Sequence, residues 1–205
     1  MPDPSPPVRR LQEALSRLAG QTAGRPLTGR THSDADDITG TVLTDDAAGF
    51  DPLPLLRILD RAGVPVMVIG QVAGIMHGSR ELTGDLDLLW DGDATRCESL
   101  AAAFTAASAQ LTDDDGALVR CEPEAFRRPK VQFRTATACG DCCTPALPWG
   151  LPVMDFLGRC EAASAGEFVV RYIGRQDLIR MRQATGRVKD LRRARELQDL
   201  PDQLT

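Results

Sequence analysis

Apolar residues recur near the start of the chain at Val8, Leu11, Leu15 and Leu18. That spacing of three and four predicts an amphipathic helix over Val8–Leu18, after a disordered proline-rich tail, Met1–Pro7. The period is then lost. Gly20–Phe50 is rich in Gly, Thr and Asp and reads as a long loop, with a short strand at Thr41–Leu43. Asp51-Pro52 opens a second helix, Asp as N-cap and Pro in the first turn. Leu53, Leu56, Ile58 and Leu59 give it an apolar face, and Gly63 ends it. Val64–Ile69 is a nearly unbroken apolar run and predicts a buried strand, broken by Gly70. Gln71–His77 is a short helix stopped by Gly78. Asp85–Trp90 alternates polar and apolar residues and predicts a second strand, turned by Asp91-Gly92. Further on come a helix at Ala94–Gln110, a strand at Lys130–Thr137, a helix at Met154–Ala163 and a strand at Phe168–Ile173. Two closing helices, Gln176–Ala184 and Val188–Leu200, are separated by Gly186. No internal repeat is visible. The order predicts an α/β (α+β) fold: a small mixed β-sheet flanked by helices, with a C-terminal helix pair. Residues 1–50 read as an N-terminal helix with a flexible acidic linker, and 51–200 as the sheet domain.

Composition changes this picture little. A chain of 205 residues with 42% hydrophobic residues can bury one sizeable core. The net charge of −5 argues against coating nucleic acid by charge alone. Charge is uneven, however. Asp34–Asp51 holds six aspartates and no basic residue, whereas Arg171–Arg195 holds nine basic residues against Asp177 and Asp190. The second stretch reads either as a solvated helix face or as a basic face for a polyanion. No apolar run reaches about 18 residues, so no membrane span is expected. The N-terminus has no apolar core of a secretory signal. The expected location is therefore cytoplasmic, with the six cysteines as free thiols.

The segment from Val64 to Trp90 carries the chemistry. A buried strand ends at a glycine, where the backbone comes close to something. A helix starts at once, and its unpaired N–H groups suit a phosphate. The chain returns as a strand with Asp85 and Asp87 at i and i+2, on one face. Adjacent carboxylates repel and resist desolvation, so a compensating cation is implied. Mg²⁺ prefers carboxylate and phosphate oxygens. Two such ions, roughly 3.5–4 Å apart, clamp the oxygens of a phosphoryl displacement.

Gly70-Gln71, thirteen residues, then Asp85-Leu86-Asp87-Leu88 resembles the signature of the DNA polymerase β-type nucleotidyltransferase superfamily. The stretch VPVMVIGQVAGIMHGSRELTGDLDLLWD is similar to the AbiEii-type and MenT-type toxin nucleotidyltransferases, with His77, Gly78, Arg80, Thr83, Asp85 and Asp87 in matching order. Asp177-Leu178-Ile179 followed by Gly186-Arg187-Val188-Lys189-Asp190 resembles the helix pair that closes many such domains. The resemblance covers about Pro52–Leu200 and implies the nucleotidyltransferase fold, with an NTP as substrate and Mg²⁺, two ions, as cofactor. NMP would pass to an acceptor hydroxyl on a tRNA end or a protein, as in the toxin of a toxin–antitoxin pair with an antitoxin partner. Its rivals are an antibiotic-modifying nucleotidyltransferase and a non-catalytic nucleotide- or partner-binding protein of the same fold.

The resemblance also implies residue roles. Asp85 and Asp87 are catalytic metal ligands. A third carboxylate is expected on a neighbouring strand, where Asp141 is the candidate, or Cys143 occupies the place if the Lys130–Thr137 strand runs straight on. Gly70, Gln71, Ser79, Arg80, Arg182 and Lys189 are nucleotide-binding candidates. Gln71 departs from the Gly or Ser of the signature, though its amide can donate. Arg182 stands where the family has lysine and can fork onto a phosphate. Arg80 either binds nucleotide or covers the aspartate pair, and Lys189 either reaches a phosphate or pairs with Asp190 or Glu196. His77 reads as a structural or capping residue. Cys139-Gly140-Asp141-Cys142-Cys143 lacks the partners for a four-ligand zinc site, and Pro145 and Pro148 exclude the helix a redox motif needs.

Overall fold

A proline is tolerated in the first helical turn because its missing N–H is unpaired there anyway. Helix α1 accordingly starts earlier than its apolar period, at Pro6, and runs to Thr22, burying Val8, Leu11, Ala14 and Leu18. Ser5 is already fixed, its N–H donating to Ser164 O at 2.8 Å, so the chain is ordered before the helix begins. The computed structural model describes residues 3–35 and 38–201. Met1 and Pro2 of the expected tail, and Asp36 and Asp37 of the acidic stretch, lie outside them.

Gly20–Phe50 holds two single 3-10 turns, His32–Asp34 and Asp45–Ala47, and turns in place of the strand expected at Thr41–Leu43. Its acidic side chains are used locally: Asp45 accepts the N–H groups of Thr28 and Gly29, and Asp46 pairs with Arg134. The segment expected to be a flexible linker is therefore tied into the fold. It is seated on Gly84, where a Cβ would stand 2.6 Å from Ala47 Cα, so only glycine admits it.

Helix α2 (Leu53–Arg61) begins where Asp51 Oδ1 accepts the Leu53 N–H at 3.0 Å. Strand β1 (Met67–Ile69) leads directly into helix α3 (Gly70–His77), which Gly78 stops in the left-handed region at φ 113°. Strand β2 (Asp87–Leu89) returns antiparallel to β1, pairing Ile69 with Asp87. The predicted helix at Ala94–Gln110 is shorter: α4 covers Cys97–Ala106, and Ser108 at φ 53° turns the chain into β3 (Gln110–Thr112) and β4 (Leu118–Val119). Strand β5 (Lys130–Arg134) is followed by β6 (Cys139–Cys143), a strand that the apolar pattern did not predict. The predicted helix at Met154–Ala163 divides into a single turn, α5 (Met154–Leu157), and strand β7 (Glu161–Ser164). Strand β8 (Val169–Tyr172) and the helices α6 (Arg175–Thr185) and α7 (Val188–Asp199) close the chain.

The architecture is mixed α/β. One eight-stranded sheet runs β4-β3-β5-β6-β2-β1-β8-β7, wider than the small sheet expected. The β1–β8 and β2–β6 pairs are parallel and the others antiparallel. Helices α1, α3, α6 and α7 pack in succession, and α2 packs on α4. Val68, Leu88, Leu86, Trp90, Phe104 and Phe133 are fully buried at the centre. Among the described residues no helix is long and apolar enough to cross a membrane.

Candidate active site

The site begins with a backbone constraint at Gly70. Its φ of 64° is left-handed, and a Cβ there would collide with the Asp87 carboxylate. Any other residue would be strained and would displace Asp87. The requirement for glycine seen in the sequence thus comes from the close approach of strand end and carboxylate.

Asp87 opens β2 and Asp85 lies two residues before it, and both line one cleft. Asp85 Oδ1 accepts from Thr83 Oγ1 and, at 3.0 Å, from Thr41 Oγ1 of the N-terminal segment. The register of β2 with β6 sets Leu88 beside Cys142 and Leu89 beside Cys143. One residue back on each parallel strand, Asp141 stands beside Asp87, at the inter-strand spacing of about 4.8 Å. Asp141 lies within β6, and that strand brings the third carboxylate to the pair. Cys143 lies two residues on, beside Leu89, and lines the same cleft.

The three carboxylates are only partly compensated. Burial, then Asp85 and Asp141, push the Asp87 carboxyl well above its usual range. Burial also raises Asp141, against the pull of Lys130 and His32. Asp141 Oδ1 is buried with no hydrogen-bond partner, and Oδ2 has only Lys130 Nζ at 3.7 Å. Lys130 is itself held by Asp114 at 2.7 Å.

The carboxylates open onto a cleft of about 520 Å³, which also meets Gly70, Gln71, Arg182, Arg187 and Arg193. The size falls within the range of small-molecule sites. Gln71 and Arg182 are buried and bound to each other: Arg182 Nη2 donates to Gln71 Oε1 at 2.7 Å and to Gly70 O at 3.2 Å. The Gln71 amide donates to Ser79 Oγ and Glu81 O. Burial, then the nearby Arg193, pull the Arg182 guanidinium down to about 10. Both side chains therefore brace the start of α3 rather than present free donors to the cleft. Arg187 and Arg193 line the cleft as well, a contribution that sequence reasoning missed although both lie in the basic stretch. Arg193 pairs with Glu81 and Arg187 with Asp190.

Three other candidates lie elsewhere. Ser79 donates to Glu196 Oε2 and, with Arg80, lines a separate recess against α1. Lys189 is half-buried on α7, outside the cleft lining. His77 is buried, its Nε2 2.8 Å from Ile173 O, in keeping with a structural role.

Cys139 meets two partners that sequence reasoning did not assign, His32 and Asp46, with ligand atoms within 4.8 Å of one another. This cluster has its own cation. Asp46 is paired through both oxygens with Arg134 and accepts the His32 N–H at 2.7 Å. Burial raises the Cys139 thiol, which stays protonated. The same holds for Cys142 and Cys143, so none is an activated nucleophile.

Compared with known proteins, the chain matches no family model and no curated protein.

Proposed function

We propose that the chain is a metal-dependent nucleotidyltransferase of the polymerase β type: an acceptor hydroxyl oxygen bonds to the α-phosphorus of an NTP, the bond to the β-phosphate breaks, and pyrophosphate leaves. The observation that carries this reading is the carboxylate triad Asp85, Asp87 and Asp141, only partly compensated and set beside Gly70 in one cleft. The donor set fits Mg²⁺: carboxylate oxygens are its preferred protein ligands, and Asp141 Oδ1 is a buried acceptor with nothing to accept from. Asp85, Asp87 and Asp141 would hold the metal. Bound there, it supplies positive charge against the triphosphate and the developing oxyanion.

The chain's own residues do the rest. The first-turn N–H groups of α3 have no intrahelical partners and face a phosphate. Arg187 and Arg193 add positive charge along the same wall. Asp141, whose side chain lines the cleft, takes the proton of the acceptor hydroxyl. Thr41 and Thr83 hold the Asp85 carboxylate in one orientation. Antiparallel β1–β2 with α3 between them, a third carboxylate on the adjacent β6, and the closing pair α6–α7 support the fold assignment.

Label transfer tests the reading. Wild type with labelled NTP, Mg²⁺ and total tRNA or cell extract is expected to label an acceptor, and Asp85→Ala/Asp87→Ala is expected to leave none. Equal labelling by both, or none by wild type, overturns it. Growth arrest on expression that disappears in the double variant would assign the protein to the toxins, with an antitoxin partner; its absence favours a small-molecule acceptor.

A further inference from the structure

The cleft has two unlike walls. One is charged, with the carboxylates and the arginines of α6 and α7. The other follows β6 and is apolar: Leu147, Pro148 and Trp149. The loop carrying Trp149 is held by its own backbone. Thr144 N–H donates to Pro129 O, Leu147 N–H to Thr144 O, and Trp149 N–H to Leu147 O. The indole Nε1 is spent on Thr144 O at 2.8 Å. Its edge is thus anchored, and the half-buried ring lines the cleft.

Neutral polar side chains are scarce there, and all are engaged. Gln71 is bonded through both ends of its amide. Thr185 Oγ1 lies 2.7 Å from Asp190 Oδ2 and 2.9 Å from Arg182 O. Among the described residues of the lining no uncommitted neutral side chain remains to read the edge of a base, Asp114 and Lys130 are paired with each other, and strong discrimination between similar ligands depends on hydrogen-bonding groups of the site. A fixed aromatic face, by contrast, accepts any base, because every base has a π-face.

We infer that Trp149 is the stacking platform for the nucleobase of the NTP, so that the site distinguishes purine from pyrimidine by ring size and separates ATP from GTP weakly. The inference rests on the nucleotidyltransferase reading above. It adds the binding mode of the base and the specificity that follows.

Trp149 is also its own reporter. The chain has two tryptophans, and Trp90 is 1% exposed, shielded from any ligand. Titrating wild type with α,β-methylene analogues of ATP, GTP, CTP and UTP in Mg²⁺ should quench Trp149 fluorescence. The ATP and GTP analogues are expected to bind within about threefold of each other and more tightly than the pyrimidines. Calorimetry should find Trp149→Ala weakened about tenfold for purines, the low end for loss of one stacked base. Trp149→Phe should keep most of the affinity, with Trp90 emission confirming that both variants are folded. Unchanged analogue affinity in Trp149→Ala overturns the inference alone, and if transfer falls at the same time the indole serves the acceptor. A preference above a hundredfold for one purine also overturns it alone. No binding of any analogue to wild type overturns the transferase reading with it.

Discussion

Two buried acidic environments lie two residues apart along β6, and they are solved in opposite ways. Beside Cys139, Asp46 is 5% exposed and saturated, with Arg134 on both oxygens and the His32 backbone on one. Burial opposes its ionisation, yet the hydrogen bonds from His32 and Arg134 prevail and hold the carboxyl well below its usual range. Two residues on, Asp141 joins Asp85 and Asp87 with one oxygen unpartnered, and burial pushes Asp87 and Asp141 the other way. The first cluster has a guanidinium on both oxygens of its carboxylate, whereas the second has only Lys130 at 3.7 Å from one of its three carboxylates, and that lysine is shared with Asp114. A protein that leaves three carboxylates facing one another sacrifices stability there, and such sacrifices concentrate at functional sites. The first cluster belongs to the fold, and the second is where the proposed function places the chemistry.

Asp87→Asn should break the contrast most visibly. It removes the carboxylate flanked by both others, so transfer is expected to fall by at least about a thousandfold, the scale for losing a main electrostatic element. Stability should move the opposite way. Without metal, deleting a repelled buried charge is expected to raise Tm by about 2–4 °C, which corresponds to about 1 kcal/mol in a chain of this size. Calorimetry with and without millimolar Mg²⁺ checks both: wild type should gain stability from Mg²⁺ and the variant should not. A fall in Tm on Asp87→Asn would show that the cluster is compensated after all.

Asp46→Asn should do the reverse, destabilising the protein at a carboxylate that is outside the cleft lining. Breaking a fully buried pair costs about 3–5 kcal/mol. Arg134 is 45% exposed and can be re-solvated, so about 2 kcal/mol is expected here. The sign with pH follows from the depressed carboxyl. Its contribution is present in full above the ordinary value of 3.8 and is lost as pH falls from there towards the lower folded value. Urea titrations at pH 7 should separate wild type from variant, and the gap should close below about pH 3.8. A gap independent of pH would mean that the carboxylate charge contributes nothing.

The same contrast explains what could be read in the sequence. Gly70, Asp85 and Asp87 were legible because strand, glycine, helix and paired aspartates are all local. The closing helices were legible from their period and from Gly186. Strand β6 was not, because Cys-Gly-Asp-Cys-Cys carries none of the β-branched signal of β1, and its strand character comes from pairing with β5 and β2. The α5–β7 region misled for a related reason: Glu161–Ser164 is strand only by pairing with β8. Ser79 and Arg80 sit close to Asp85 in sequence, but Gly78 turns them toward Glu196 and away from the cleft. Thr41 could not be found at all, since nothing in a loop of Gly, Thr and Asp marks one hydroxyl as the partner of an aspartate 44 residues on.

That hydroxyl is where the two environments meet, because the segment clamped by Asp46 also delivers Thr41 to Asp85. Thr41 is 4% exposed, accepts the Gly84 N–H at 2.8 Å and touches Thr83 Oγ1 at 3.0 Å. Thr41→Val keeps the shape and removes the hydroxyl. It leaves the Gly84 N–H without its acceptor, for which about 1 kcal/mol is expected, the low end for one buried group. It also leaves the Asp85 carboxylate held by Thr83 alone, so Mn²⁺ used as a probe should bind about three- to tenfold more weakly, below or at the low end of the range for losing an outer-shell partner. The two effects separate by rescue. Thr41→Ser restores the hydroxyl without the methyl and should recover metal affinity even if some packing is lost. A Thr41→Val protein with lowered Tm but unchanged Mn²⁺ affinity would assign the hydroxyl to Gly84 alone, and the N-terminal segment would then support the fold without orienting the carboxylate.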